Sequence, residues 1–319
     1  MSKRFIGSRQ TTIGREVELS GTGVHSGAPV SMVLHPAEGD TGYRFLVSRR
    51  GRIIAEIPAD VRFVKNLTLC TVLGDDSGVT VGTVEHLLAA LRGLSVDNCY
   101  IEIDAREVPI MDGSAAAFVQ AIDEVGVSEL PQPRKYIKVL KPVRVQVNGC
   151  SGELRPHPRG LRIETEIDFD HPLIGRQRFA LDVDPQVFRR ELSRARTFGF
   201  MRDVTKLWNA GYALGASFEN TVVIAEDRVL NADGLRFPDE FVRHKAVDAI
   251  GDLALAGAPL IGAYHSVRGG HKLNHAVVTA LMNDPTAFSY TELEEPVRRP
   301  RGHAELGGFA VPAYGPGIS

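Results

Sequence analysis

The chain has 319 residues, 43% hydrophobic and 24% charged, the composition of a folded protein long enough to bury a sizeable core. With 37 Lys and Arg against 39 Asp and Glu the net charge is −2, so it lacks the basic excess of a nucleic-acid binder and no nucleic-acid partner is expected. The three cysteines, Cys70, Cys99 and Cys150, are odd in number, far apart and form no CxxC, which argues against a disulfide framework or zinc ribbon and for a reducing compartment.

At the N-terminus, MSKRFIGSRQTTIGREVEL has no apolar run of the secretory kind. Nowhere does an apolar stretch approach the roughly 18 residues that span a bilayer. A cytoplasmic protein without a transmembrane segment is expected, with peripheral contact to membrane lipid left open.

Residues 11–80 read as β-rich, short alternating segments broken by Gly, Pro and Ser, with a hairpin in CTVLGDDSGVTVG turning at GDDSG. The period then changes. HLLAALRGL, 86–94, reads as a short helix ended by Gly93, VDNCYIEID, 96–104, as a strand, and SAAAFVQAIDEVG, 114–126, as a helix with Gly126 past its end. LPQPRKY, 130–136, with two prolines, is the linker candidate. Strands return in IKVLKPVRVQV, LRIETEIDF and RQRFALDVD. The helical stretches PQVFRRELSRA, 185–195, and TKLWNAGYALG, 205–215, surround RTFGFMRD. A strand-like TVVIAEDRVLN, 221–231, precedes the helix FVRHKAVDAIGDLALAG, 241–257. A strand, LIGAYHSV, and a helix beginning near Asn274 follow. The Pro- and Gly-rich end reads as a disordered tail.

The order of strands, helix, strand, helix thus occurs on both sides of the linker. This predicts an α+β fold of two domains, 1–129 and 134–292, whose helices pack on each other, with a tail over 293–319. A site would sit between the domains.

In the helix 241–257, His244, Asp248 and Asp252 recur every four residues and so share one face. His244 and Asp248 can present a nitrogen and a carboxylate oxygen to one metal ion, although on spacing alone an exposed polar face is the commoner case, since HxxxD recurs by chance. The apolar neighbours, among them Phe241, Ala246, Ile250 and Leu253, predict burial, and buried carboxylates call for a compensating charge. Glu85 and His86 stand at a strand-to-helix boundary, where His86 could be a third ligand and Glu85 either a general base or a first-turn acid favoured by the helix dipole. In RGGHKLNH, His271 follows two glycines that could deliver it into a cleft, and with His275 it also forms a second i, i+4 pair. Thr197 offers a hydroxyl beside Phe198 and Phe200, although simple packing of aromatics in a core is the commoner case. GTGVHSG, 21–27, lacks the third glycine of a dinucleotide fingerprint, and no P-loop, GxSxG or HExxH occurs.

Taken together, TVEHLLAAL, IMDGSAAAFV, SRARTFGFMRD, GLRFPDEFVRHKAVDAIGDL and GGHKLN resemble the zinc-dependent UDP-3-O-acyl-N-acetylglucosamine deacetylases of lipid A biosynthesis, over residues from about 10 to 290. The resemblance implies two similar domains, each a β-sheet with helices, the helix layers packed together between the sheets. It implies zinc held by His86, His244 and Asp248, with iron(II) suited to the same ligands. It further implies Glu85 as general base, His271 as general acid with Asp252 as its carboxylate, and Thr197 at the oxyanion. Lys245 and Phe198 become substrate contacts. The reaction implied is the committed step of lipid A biosynthesis, hydrolysis of the N-acetyl group of a UDP-linked 3-O-(3-hydroxyacyl) amino sugar to acetate and the free amine. A monomer is expected, with an apolar channel for the acyl chain in the second domain. Departures are Gly269 before Gly270, where the family often has Ser, and Thr68, where it often has Met.

Overall fold

The computed structural model describes residues 7–293, so the tail expected over 293–319 lies, past its first residue, outside the described residues. In the first half the chain forms β1 (Arg9–Ile13), β2 (Val17–Thr22), β3 (Pro29–Pro36), β4 (Tyr43–Arg49), β5 (Arg52–Pro58), β6 (Val64–Asn66), β7 (Val72–Gly74) and β8 (Thr80–Val81). Then come α1 (Glu85–Gly93), β9 (Cys99–Ile103), α2 (Ala116–Val125) and β10 (Val127–Pro133). The main sheet has the order β2-β3-β9-β4-β5, and strands such as β3 and β4 alternate, with Val30, Met32 and Leu34, then Tyr43, Phe45 and Val47, facing the core. The expected GDDSG hairpin is present as β7–β8, closed by Asp75 accepting from Ser77 N and Val79 N.

The proline-rich stretch is not a free linker. β10 pairs antiparallel with β1 in a two-stranded ribbon, Pro133 opposite Arg9. A strand with one partner tolerates proline, because the missing N–H can face away from the ladder.

The second half adds β11 (Lys135–Val139), β12 (Val143–Val147), β13 (Cys150–Arg155), β14 (Leu161–Phe169), β15 (Gly175–Asp182) and α3 (Pro185–Val187), which runs into a π-helical turn at Phe188–Leu192. Next are β16 (Phe198–Phe200), α4 (Val204–Asn209), β17 (Val222–Ile224), α5 (Glu240–Leu253), β18 (Leu260–Val267), α6 (His271–Met282) and β19 (Phe288–Glu292). β18 is the centre of a seven-stranded sheet, parallel to β14 and β11 and antiparallel to β13, and its almost wholly buried sequence suits that place. Between β15 and α5 an excursion carries the parallel pair β16–β17 and α4. Here the structure corrects two expectations. The helix over 205–215 stops at Asn209, where Gly211 (φ 78°) and Ala213 (φ 56°) turn the chain. The strand over 221–231 shortens to β17 and folds back, Ile224 bridging Val229. A third correction concerns α6, which starts at His271 rather than near Asn274, because the Gly270 carbonyl accepts from both Leu273 N and Asn274 N.

α5 crosses α1 at close range between the two sheets. A Cβ built on Gly251 would collide with the carbonyl oxygen of Glu85, so only glycine permits this contact. The result is an α+β fold of two main sheets with helices meeting between them; a large core draws buried side chains from both halves, and a smaller cluster around Ile167, Val222, Ile224 and Phe241 lies in the second half.

Candidate metal centre with a flanking acid and base

The two helices that touch at Gly251 each bring polar side chains to the seam. α1 is buried on nearly every side, and its first residues, Glu85 and His86, are only 2% and 4% exposed. The turn before it carries Thr83 at φ 55°, held by its hydroxyl on Glu107 (2.8 Å).

His86 meets His244 and Asp248 of α5. One donor atom from each lies within 4.8 Å of the others, with Nε2 of His86 and of His244 at 3.5 and 3.4 Å from Asp248 Oδ1. Nδ1 of His244 donates to the carbonyl of Ala195 (3.1 Å), which leaves its Nε2 lone pair facing the cluster. Burial pushes the His244 imidazole down to about 3, so it is neutral. Burial works against ionisation of Asp248 too, but the Lys245 ammonium, whose Nζ is 2.8 Å from Oδ2, holds its carboxyl well below the usual range. Asp248 Oδ1 is buried and makes no hydrogen bond. Two imidazole nitrogens and an anionic oxygen left unpaired form a donor set that fits a divalent cation.

Beside this cluster stand an acid and a base. Oε1 of Glu85 is 3.6 Å from Nε2 of His271, and Oε2 accepts from Thr71 N (3.1 Å). Burial pushes the Glu85 carboxyl up. The other ring nitrogen of His271, Nδ1, is 2.8 Å from Asp252 Oδ2. Burial alone would lower the His271 pKa, but the charges of Asp252 and Glu85 drive it up to about 9, an imidazolium at neutral pH. Asp252 also accepts from Thr71 Oγ1 (2.6 Å) and Asn274 Nδ2 (2.8 Å), and Asn274 Oδ1 accepts from the Tyr264 hydroxyl (2.6 Å).

A cavity of about 450 Å³ opens over both groups. Glu85, His86, Thr197, Phe198, His244, Lys245, Asp248 and His271 line it, and Asp252 stands behind His271. Thr197 is set on the wall by its N–H on the Gly113 carbonyl (2.7 Å) and its carbonyl on Val222 N (2.8 Å). Phe198 packs edge-on against Phe241, ring centres 5.0 Å apart. The excursion supplies an apolar wall, including Met201, Leu207, Trp208 and Phe218. His275 is not brought in: its Nε2 is 3.4 Å from the Val61 carbonyl, which separates it from the cluster.

Sequence reading missed Thr71, Asn274 and Tyr264, since nothing in a lone Thr, Asn or Tyr marks a hydrogen-bond relay. It also passed over His25, which lines the cavity and whose loop is pinned by Glu107 on His25 N (3.0 Å). The Gly-rich setting of His25 was the available signal, set aside for lacking a nucleotide fingerprint.

Comparison with known proteins matches residues 10–283 to a family described as UDP-3-O-acyl N-acetylglycosamine deacetylase. The curated UDP-3-O-acyl-N-acetylglucosamine deacetylases of Brucella ovis, Brucella canis and Brucella abortus are each 54% identical over 286 residues, covering 89% of this chain and 98% of the relative.

Proposed function

Because the chain belongs to the UDP-3-O-acyl N-acetylglycosamine deacetylase family, we propose that the cavity between its two halves is the deacetylation site, with zinc held by His86, His244 and Asp248. The protein is a deacetylase of lipid A biosynthesis, a hydrolase of the amide of UDP-3-O-acyl-N-acetylglucosamine. The observation that carries the site is the convergence of one buried His-His-Asp cluster with the Glu85–His271 pair at a single cavity.

When bound, the metal would acidify a water molecule and polarise the acetamide carbonyl. Glu85 takes the proton of the attacking water. Thr197 donates its hydroxyl to the carbonyl oxygen as that oxygen becomes negative. The amide nitrogen cannot leave as an anion, so Nε2–H of His271 gives it a proton as the C–N bond breaks, yielding acetate and the free amine. Asp252 keeps His271 charged before that step. Lys245 and Phe198 contact the sugar end of the substrate, and the apolar wall of the excursion takes the 3-hydroxyacyl chain. Iron(II) suits the same ligands.

The two domains run over 1–129 and 134–292. Among the described residues no helix is long and apolar enough to cross a membrane. The working location is the cytoplasm, as a monomer with peripheral access to membrane lipid, and the substrate is the UDP-linked acylated amino sugar.

The test is metal content together with deacetylase activity, before and after chelation. About one zinc per chain, with activity lost on chelation and regained with zinc, is expected. A metal-free protein at full activity would overturn the metal site. Equal turnover of a substrate lacking the UDP group or acyl chain would point to a different amino sugar.

A further inference from the structure

Thr71 is fully buried, immediately before β7, and it touches both carboxylates that flank His271. Its backbone N–H donates to Glu85 Oε2 (3.1 Å). Its hydroxyl donates to Asp252 Oδ1 (2.6 Å), a residue 181 positions away on the other half of the molecule. We infer that Thr71 is a positioning residue that sets the base and the acid's carboxylate together across the seam, an inference that rests on the roles given above to Glu85 and His271.

The two contacts use different atoms, so they are separable. The N–H is present whatever the side chain, and it fixes one oxygen of Glu85 so that the other, Oε1, faces His271. The hydroxyl is specific to Thr or Ser. Asp252 uses Oδ2 for His271 and Asn274, and Oδ1 accepts from Thr71. A β-branched side chain has few χ1 wells, which suits it to hold one oxygen in one place. Thr71 stands behind the cavity wall, so it acts through these carboxylates and does not touch the substrate.

Donation to Oδ1 draws negative charge away from the oxygen that faces His271. The charged and titratable groups around that ring are Asp252 and Asp248 from α5, Glu85 from α1 and His25 from the loop between β2 and β3. Without the hydroxyl, Asp252 bonds His271 more strongly and the ring holds its proton to higher pH.

The experiment compares Thr71→Val and Thr71→Ser in the metal-loaded enzyme. For Thr71→Val the expected result is a kcat lowered about 10- to 100-fold, the scale of one hydrogen bond to a charged group. KM should stay at its wild-type value, and the alkaline limb should move to higher pH. The ring-nitrogen NMR titration of His271, a readout independent of turnover, should move the same way. Thr71→Ser should restore both. Should Thr71→Val not fold, Thr71→Cys, a weak donor, carries the same prediction. Wild-type kcat with an unmoved His271 titration in Thr71→Val overturns the inference, as does Thr71→Ser impaired as much as Thr71→Val. His271→Ala separates the two levels. If it keeps the alkaline limb, the acid assignment itself fails. If it loses the limb while Thr71→Val behaves as wild type, only the role of Thr71 fails.

Discussion

Nδ1 of His271 lies 2.8 Å from Oδ2 of Asp252, and both side chains are nearly excluded from water. In that setting the carboxylate decides the charge of the ring. Replacing Asp252 with Asn keeps a polar group of the same shape but removes the charge, so burial becomes the dominant influence and the His271 pKa falls. The ring would then carry less of its positive charge near neutral pH, although Glu85 and Asp248 still favour the imidazolium. Turnover should drop by on the order of 10²- to 10³-fold, with the alkaline limb displaced to lower pH. A pH–rate profile of Asp252→Asn with its alkaline limb unmoved would contradict this.

With Glu85 as the base and His271 as the acid of the proposed mechanism, activity needs Glu85 ionised and His271 protonated. Burial raises the Glu85 carboxyl, so activity is lost on the acid side at a higher pH than an exposed glutamate would give. It is lost on the alkaline side as pH rises through about 9. A bell-shaped kcat/KM profile is therefore expected. The same shift has a sign for stability. The folded pKa of His271 is above its ordinary 6.5, so its contribution is complete below 6.5 and disappears as pH rises through about 9. A profile flat from pH 5 to about 10 with chemistry rate-limiting would exclude this acid–base pair.

Asp248→Ala removes a carboxylate from the cluster and leaves Lys245 without its 2.8 Å partner. Metal stoichiometry measured after dialysis should fall well below that of the wild type. Retention of zinc at wild-type affinity would show that Asp248 is not a ligand.

Gly251→Ala pushes a methyl group into the backbone of α1 at Glu85, and backbone cannot rotate away. A loss of about 1–3 kcal/mol is expected, read as a lower denaturation midpoint. Activity per folded molecule should fall as well, since the displaced residue is the proposed base. Unchanged stability would mean that the two helices are not locked at this contact.

Arg196 is 2% exposed, and its Nε donates to Glu240 Oε1 at 2.9 Å, a residue with no exposure at all. Arg196→Met leaves a buried carboxylate short of its cation and should cost about 3–5 kcal/mol. The adjoining Ala195 carbonyl orients His244, so zinc affinity should weaken with it. Urea denaturation and metal titration of the one variant test both.

Periodicity was enough to find α1, α2 and most of α5, because helices with continuous apolar faces declare themselves. It misjudged the excursion between β15 and α5, where short elements owe their form to turns at Gly211 and Ala213 rather than to a repeat. It also took paired β10 for a linker, because pairing with β1 is a contact between distant residues that local composition does not record.

The sequence by itself determined which residue types could hold a metal and carry protons, and the spacing of His244, Asp248 and Asp252 put them on one helix face. The resemblance then singled out Glu85, His86 and His271 as their partners. Only the tertiary structure decided how these groups are shared out. Spacing left His271 and His275 equivalent; packing turned His271 toward Asp252 and Glu85 and His275 toward the Val61 carbonyl. Spacing likewise made Asp252 as eligible a ligand as Asp248, until the crossing of α1 over Gly251 brought His86 to one carboxylate and Thr71 to the other. The reason is physical: the i, i+4 rule orders side chains along one helix, whereas which of them meet a second element depends on where the two backbones can approach.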